Sequence, residues 1–440
     1  MKKKLLLIGL PLLLLCGLGL GVAFAQEVEG GNGHSIILDK HGKVWTIGRN
    51  NHGQLGNGMF LNSSIPVNVE TLPVIKSIAR GYDHTIAIDE AGCIWTWGLN
   101  NYGQLGTGIP TDYSSPIKLK WHTRFIDVEG GHWHTIALQS DGTVWAWGHN
   151  LYGELGIGNR EHQNSPFLVL CKTNDSDSLK PLTKIISIKS VGYHTLALDV
   201  NGKVWSWGPN DFYQLGHKEK EIQSHAKIIE NIPKMKSIAT GWHHSIALDS
   251  SGNIWAWGSD PSGQFEESTT KFFPTPRQFE NLPKMKEIAC GSWHSLAIDI
   301  NGNLWGWGKN HFGMLGTGDT LSTSFPVKIS GITNACKIGA GCFQSLVIDS
   351  FGQIFSFGDN PCGQLGLLNE SRQLRFQTVL LNSNGELDKD KIEELKSEQA
   401  LKQISLNNIY KFIGENPFFS LSILLNMICI FIFIRILKKT

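Results

Sequence analysis

A short phrase recurs seven times in this chain and constrains the fold more than any other feature of the sequence. Histidine followed by Ser or Thr stands at His34, His84, His134, His194, His244 and His294, and the aligned seventh position is Gln344. The interval is 50 residues at every step except the 60 between His134 and His194. A second landmark follows each anchor at fixed distance. It is Trp45-Thr46-Ile47-Gly48 in the first unit, then the pairs Trp95 and Trp97, Trp145 and Trp147, Trp205 and Trp207, Trp255 and Trp257, Trp305 and Trp307, and finally Phe355 and Phe357. Each pair is closed by Gly, and together they account for eleven of the fifteen tryptophans. Seven residues later comes Leu, or Phe265 in the fifth unit, followed by Gly everywhere but at Glu266.

The punctuation of one unit predicts its strands. Ile75-Lys76-Ser77-Ile78-Ala79 alternates in polarity like a half-buried strand and is stopped by Gly81. His84 to Asp89 and Cys93 to Trp97 form two more short strands about the turn Glu90-Ala91-Gly92, and a fourth runs near Pro66 to Val69. Four short antiparallel strands per unit of about 50 residues, without helical period, predict an all-β, seven-bladed propeller of four-stranded blades. Trp95 and Trp97 are two apart, so they share one strand face. Their sevenfold recurrence assigns them to packing between blades. The anchor histidines recur by the same symmetry and are expected to close a hydrogen bond, each inside its own blade.

Gly-x-x-His-[Ser/Thr], Gly-x-[Val/Ile]-Trp-x-Trp-Gly and Gly-Gln-Leu-Gly, in register as at Gly81 to His84, Gly92 to Gly98 and Gly103 to Gly106, resemble the repeat of the regulator of chromosome condensation family. The resemblance covers about residues 27 to 382 and implies the same seven-bladed propeller. It also implies a choice of roles. The eukaryotic founder is a nuclear nucleotide-exchange factor for a small GTPase, whereas secreted bacterial members include inhibitors that clamp β-lactamases. Exchange-factor relatives carry an extra hairpin after the tryptophan strand, and here the seven-residue spacing leaves no room for one.

The two ends of the chain bear on that choice. Lys2, Lys3 and Lys4, an apolar run from Leu5 to about Leu20, and Ala23-Phe24-Ala25 read as a signal peptide over 1–25, with the propeller over 26–382. Residues 383–416 are a charged stalk. At about 1.5 Å per residue, the apolar stretch 417–437 is long enough as a helix to cross the roughly 30 Å of a hydrocarbon core. Lys438 and Lys439 beyond it place the tail 438–440 in the cytoplasm and the propeller outside.

Charge and motifs exclude other roles. Lys plus Arg number 39 against 38 Asp plus Glu, so a net charge of +1 offers no broad field for a polyanion, and nucleic acid is not expected as a partner. No nucleophile elbow, zinc-binding helix, paired-Cys metal pattern or phosphate loop occurs, so no enzyme activity, metal, cofactor or small-molecule substrate is expected. Six cysteines lie between the two ends. Three of them, Cys336, Cys342 and Cys362, fall in the last unit, where a disulfide would help to close the ring. The polar insertion near Cys171 to Leu182 reads as a surface loop.

Positions that differ between units carry the functional information. The two residues before each anchor include an aromatic in six of seven units: Tyr82, Trp133, Tyr193, Trp242, Trp293 and Phe343. Symmetry opens these loops on one face of the disc, where the six can form a partner-binding ring or fill gaps between blades. The expected function is therefore a non-catalytic, membrane-anchored extracytoplasmic propeller that binds a protein partner through one face. The alternatives are an envelope scaffold or spacer for a membrane partner and, if the N-terminal segment is not an export signal, a guanine-nucleotide exchange factor.

Overall fold

The computed structural model describes residues 25–121, 123–173, 176–259 and 272–379, together with positions 381, 388 and 393. The signal segment, most of the stalk and the apolar C-terminal stretch lie outside the described residues. Among the described residues, no helix is long and apolar enough to cross a membrane.

Seven sheets follow one another in chain order, antiparallel throughout except for one parallel pairing in the fourth. The first blade runs Ala25–Gly30, His34–Asp39, Val44–Gly48 and Ser63–Asn68 from the inside out, and the last runs Ala335–Ala340, Gln344–Asp349, Ile354–Gly358 and Gln373–Thr378. The first strands of successive blades touch in a closed circle around a central channel. Six sheets have four strands and the fourth has six. The insertion expected to be a loop is instead a hairpin of Leu170–Thr173 and Ser176–Pro181. Its first arm joins the outer strand of blade four through Cys171 and Ala226, so otherwise unpaired edge groups gain partners.

The inner strand departs from simple alternation for a local reason. In blade two, Ile75 and Ile78 are both buried because the pairing register shifts between Ile75 and Ser77, and similar bulges recur in the other inner strands. The second strand, His84–Asp89, is buried along its whole length. Both residues of each tryptophan pair turn toward the preceding blade. Trp97 is wholly buried among Ile36, Leu38 and Val44, with Trp95 beside it. The Trp97 Nε1–H donates to Gln54 O of blade one at 2.9 Å, and Trp95 Nε1–H donates to Asp89 at 3.0 Å.

The ring closes without a disulfide, and all six described cysteines are free. Gln344 does the closing where the other blades have histidine: its Nε2–H group donates to Gly31 O at 3.1 Å and His34 O at 2.9 Å. Arg80, 4% exposed, adds a bond to Ala340 O at 2.8 Å. Val28, Ile37 and Ile47 of blade one pack against Leu346 and Ile348 of blade seven, and this apolar seam replaces the covalent link expected there.

Candidate functional site

The connections within a blade alternate between the two ends of its strands. The short loops before the anchors and the long loops after the tryptophan strands therefore open together on one face, here called the loop face. The turns after the second strands and the loops entering the inner strands share the opposite, turn face.

The anchors hold the loop face together, across blades rather than within them. His34 Nε2 meets Thr85 Oγ1 of the next blade at 3.3 Å, His84 meets Thr135 at 3.1 Å, His194 meets Ser245 at 2.8 Å and His294 meets Ser345 at 2.9 Å. The Thr85 hydroxyl already donates its proton to Gln54 O at 2.8 Å, so it accepts from the His34 Nε2–H. His134 bonds Ser190 instead. The expected bond inside the same blade is thus corrected: the strand start aims the ring sideways at the neighbour. Burial lowers His34, His84, His194, His244 and His294 to about 3, which keeps these rings neutral. In five of the six histidine units a glycine stands three before the anchor and the ring lies on it, whereas unit four has Val191 there. A Cβ at Gly81 would stand 1.9 Å from His84 Cε1.

The six variable aromatics are all half-buried, and they divide into two groups. Tyr82 and Trp242, two residues before their anchors, point toward the axis and plug the channel with His132. Tyr82 stacks on His132 at 4.0 Å and 10°, Trp242 lies 5.6 Å from the same ring, and Trp242 Nε1–H donates to His132 Nδ1 at 3.3 Å. Gly192 gives Trp242 its room, since a Cβ there would meet Trp242 Cδ1 at 2.7 Å. Burial lowers His132 to about 4 and raises Tyr82 to about 12. Backbone bonds such as Asn32 N to Tyr82 O and Cys342 N to Gly31 O link these loops around the axis.

Trp133, Tyr193, Trp293 and Phe343, one residue before their anchors, reach the long loops, and Tyr193 and Trp133 also touch His132, stacked at 4.8 Å and edge-on at 4.3 Å. Lys309 sits 3.9 Å over Trp293, and Phe343 meets Phe312 edge-on at 5.2 Å. Blade three is the densest sector. Trp133, Tyr102, Tyr152, Tyr193 and His162 surround His149, with ring centroids 4.6 to 6.4 Å away. His149 Nδ1–H donates at 2.6 Å to Glu154 Oε1, and Glu154 is wholly buried. Its other oxygen accepts the Tyr152 N–H at 2.8 Å. In the other units Gln54, Gln104, Gln214, Gln264 and Gln364 or Met314 stand where Glu154 does, and Gln104 Oε1 accepts the equivalent Tyr102 N–H at 3.0 Å. An uncharged side chain therefore stands in the turn elsewhere, and blade three alone has a carboxylate there, buried with a histidine beside it.

Sequence reasoning missed His132, His149 and Glu154, although the change from Gln to Glu inside one Gly-x-Leu-Gly phrase was legible. By contrast, the sector around blade one is polar: Arg49 lies 3.6 Å from Asp83, and His52 lies 3.0 Å from Asp112. Beneath the plug, a cavity of about 300 Å³ is lined by Glu27, Glu29, Arg80, Glu129, Lys189 and Glu287. Burial raises Glu27 to about 7 and Glu129 to about 8, with Lys189 pairing Glu129. Among the described residues, no group of three or more metal-binding side chains converges.

Comparison with known proteins agrees with this architecture. An RCC1-like domain model matches residues 166–406, and regulator of chromosome condensation (RCC1) repeat models match 41–88 and 91–138, and 26–54, 75–104 and 125–154. The chain belongs to the regulator of chromosome condensation repeat family. Among solved structures of similar fold, human WBSCR16 is 22% identical with a TM-score of 0.67, over 77% of this chain and 94% of that one. Yeast RCC1 (Prp20), solved bound to Kap60, is 21% identical with a TM-score of 0.68, over 82% and 86%. Prp20p from Saccharomyces cerevisiae, described with its binding to Gsp1p and histones, is 25% identical with a TM-score of 0.62, over 72% and 80%.

Proposed function

We propose that the loop face is a protein-docking surface and that the chain is a non-catalytic propeller held outside the cytoplasm by its C-terminal apolar segment. One observation carries the docking reading. The contacts between blades are completed beneath this face by the wholly buried tryptophans, yet a second layer of half-buried aromatics lies above them with one side open. Rigid aromatics of this kind, braced by neighbours, are what anchor protein interfaces. Yeast RCC1 (Prp20), which shares this fold, is solved bound to Kap60, in keeping with a protein-binding role. The topology rests on the sequence of the two ends.

The docking test is photo-crosslinking in intact cells from positions 133 and 293, with the exposed outer-strand positions 167 and 325 as controls. Discrete protein adducts from the first pair alone are expected, and equal labelling from both pairs overturns the reading. Protease digestion of intact cells, with one tag after Gln26 and another at the C-terminus, tests the topology. Loss of the first tag with protection of the second is expected. Protection of both with a cytosolic propeller would favour the second reading, exchange on a small GTPase, to which the binding of Prp20p to Gsp1p lends support.

A further inference from the structure

The net charge of +1 hides an uneven distribution. On the turn face, the position that leads into the inner strand is Arg124, Lys184, Lys234 and Lys284 in blades three to six, all exposed. Two residues on, blades five and six add exposed Lys236 and Lys286, while blades three and four present Ile126 and Ile186, 39% and 52% exposed. The adjoining turns contribute Val200 and Ile300, 57% and 62% exposed. They sit directly against the cations: Val200 N–H donates to Lys184 O at 3.0 Å, and Ile300 N–H donates to Lys284 O at 2.9 Å.

The fold makes limited use of these side chains: the Lys236 ammonium donates to Met285 O at 3.5 Å and Lys286 borders the channel cavity. Among the described residues, Arg124, Lys184, Lys234 and Lys286 make no ion pair, and the Lys284 ammonium reaches only Asn253, at 2.5 Å. The carboxylates Glu230 and Glu280 start the loops of Lys234 and Lys284 four residues earlier, by the outer strands. Lys184 also holds a left-handed backbone, φ 64°, at the position where blade seven has Asn334 at 59°. Asn adopts that conformation more readily than Lys, so the cation stands there against local preference.

We propose that this arc docks the propeller onto an anionic lipid bilayer, the Lys and Arg heads at the lipid phosphates and Ile126, Ile186, Val200 and Ile300 in the headgroup boundary. A bilayer interface accepts cations and protruding aliphatics together. Nucleic acid is the weaker match, because it is read by stacked aromatics and by arginine forks, and this arc offers aliphatics with one arginine. The proposal is independent of the loop-face reading.

The test uses the full chain reconstituted in vesicles of phosphatidylcholine alone or mixed with phosphatidylglycerol, with a fluorescent unnatural residue at 300 or, as control, at 151 on the loop face. Contact of residue 300 with the boundary is read as quenching by brominated lipid. Quenching at 300 but not 151, only with phosphatidylglycerol and weakened by salt, is expected. The substitutions Lys184→Gln, Lys234→Gln and Lys284→Gln together lower the ratio of docked to undocked protein about a hundredfold. Ile186→Ser with Val200→Ser reduces the quenching while leaving the charge intact. Equal quenching in the two lipids, or no quenching in either, overturns the proposal. So does protection of residue 300 by duplex DNA without quenching in vesicles, which would assign the arc to a polynucleotide.

Discussion

The two faces of the propeller vary the same seven repeats in opposite ways. On the loop face, variable residues lean on one another across blades, as Tyr82, His132 and Trp242 do, over a belt of neutral histidines. On the turn face, Lys234, Lys284 and Ile300 stand apart from the packed interior and are exposed. The variable side chains of the first face are therefore tied to folding, whereas those of the second are nearly separable from it.

Acid gives the largest effect and acts on the two ends of the channel in opposite directions. His34, His84, His194, His244 and His294 titrate near 3 in the fold and near 6.5 when unfolded, so the unfolded chain binds more protons in between. Stability from these rings is complete above about 6.5 and is lost toward 3, by about 1.4 kcal/mol per pH unit for each ring. The channel carboxylates run the other way. With Glu27 raised to about 7 and Glu129 to about 8, the fold binds their protons more tightly, so their contribution grows as pH falls from about 8 to below 4.5. Hydrogen exchange measured from pH 7 to 4.5 should show amides around the anchors opening first while the inner strands at Glu27 and Glu129 hold. Uniform loosening would mean that the histidine belt does not govern the loop face.

Trp147→Ala removes the distinction between the faces by damaging what they share. The indole is wholly buried and its Nε1–H donates to Gln104 O at 2.9 Å, so the loss is expected to be about 3–5 kcal/mol, read as a urea midpoint. Both faces should fail together. A variant that retained either one would show the blades to be more independent than their packing implies.

The parts of the molecule that repeat were the parts legible in sequence. Blade number, strand order and the role of Trp95 and Trp97 followed from spacing, because a packing unit must present the same side chains at every interface. What spacing leaves open is direction across the repeat boundary. Whether His84 bonds its own blade or the next depends on the angle between sheets, and Tyr82 and Trp133 differ by one position that decides between plugging the axis and reaching the long loops. Net charge was misleading for the same reason, since only topology sorts Lys184 and Lys284 to one face.

Single substitutions sharpen the contrast at smaller scale. Trp133→Ala, in its cage of Tyr102, His149 and Tyr193, is expected to lower stability by about 1–3 kcal/mol and to abolish loop-face crosslinking. Lys234→Gln on the turn face should stay within about 0.5 kcal/mol of the parent, because the side chain is exposed and packs on nothing it supports. Equal melting temperatures for the two variants would break the claim that one face is tied to folding and the other is not.

The smallest expected change in stability is the most informative about blade three. In Glu154→Gln the side-chain oxygen still accepts the Tyr152 N–H, as Gln104 does for Tyr102, so the turn is preserved and stability should move by less than about 1 kcal/mol. Toward His149 the consequence is chemical. An amide nitrogen in place of Oε1 presents N–H to Nδ1, which then accepts, and the proton moves to Nε2. The ring thus changes from offering a lone pair at Nε2 to offering a donor there, with the same shape and the same aromatic walls. Nitrogen-15 NMR of His149 reads the tautomer directly, and crosslinking from position 133 reads its effect on docking. A switched tautomer with unchanged crosslinking would make the dyad a packing device. A switched tautomer with lost crosslinking would show that a partner meets the lone pair itself.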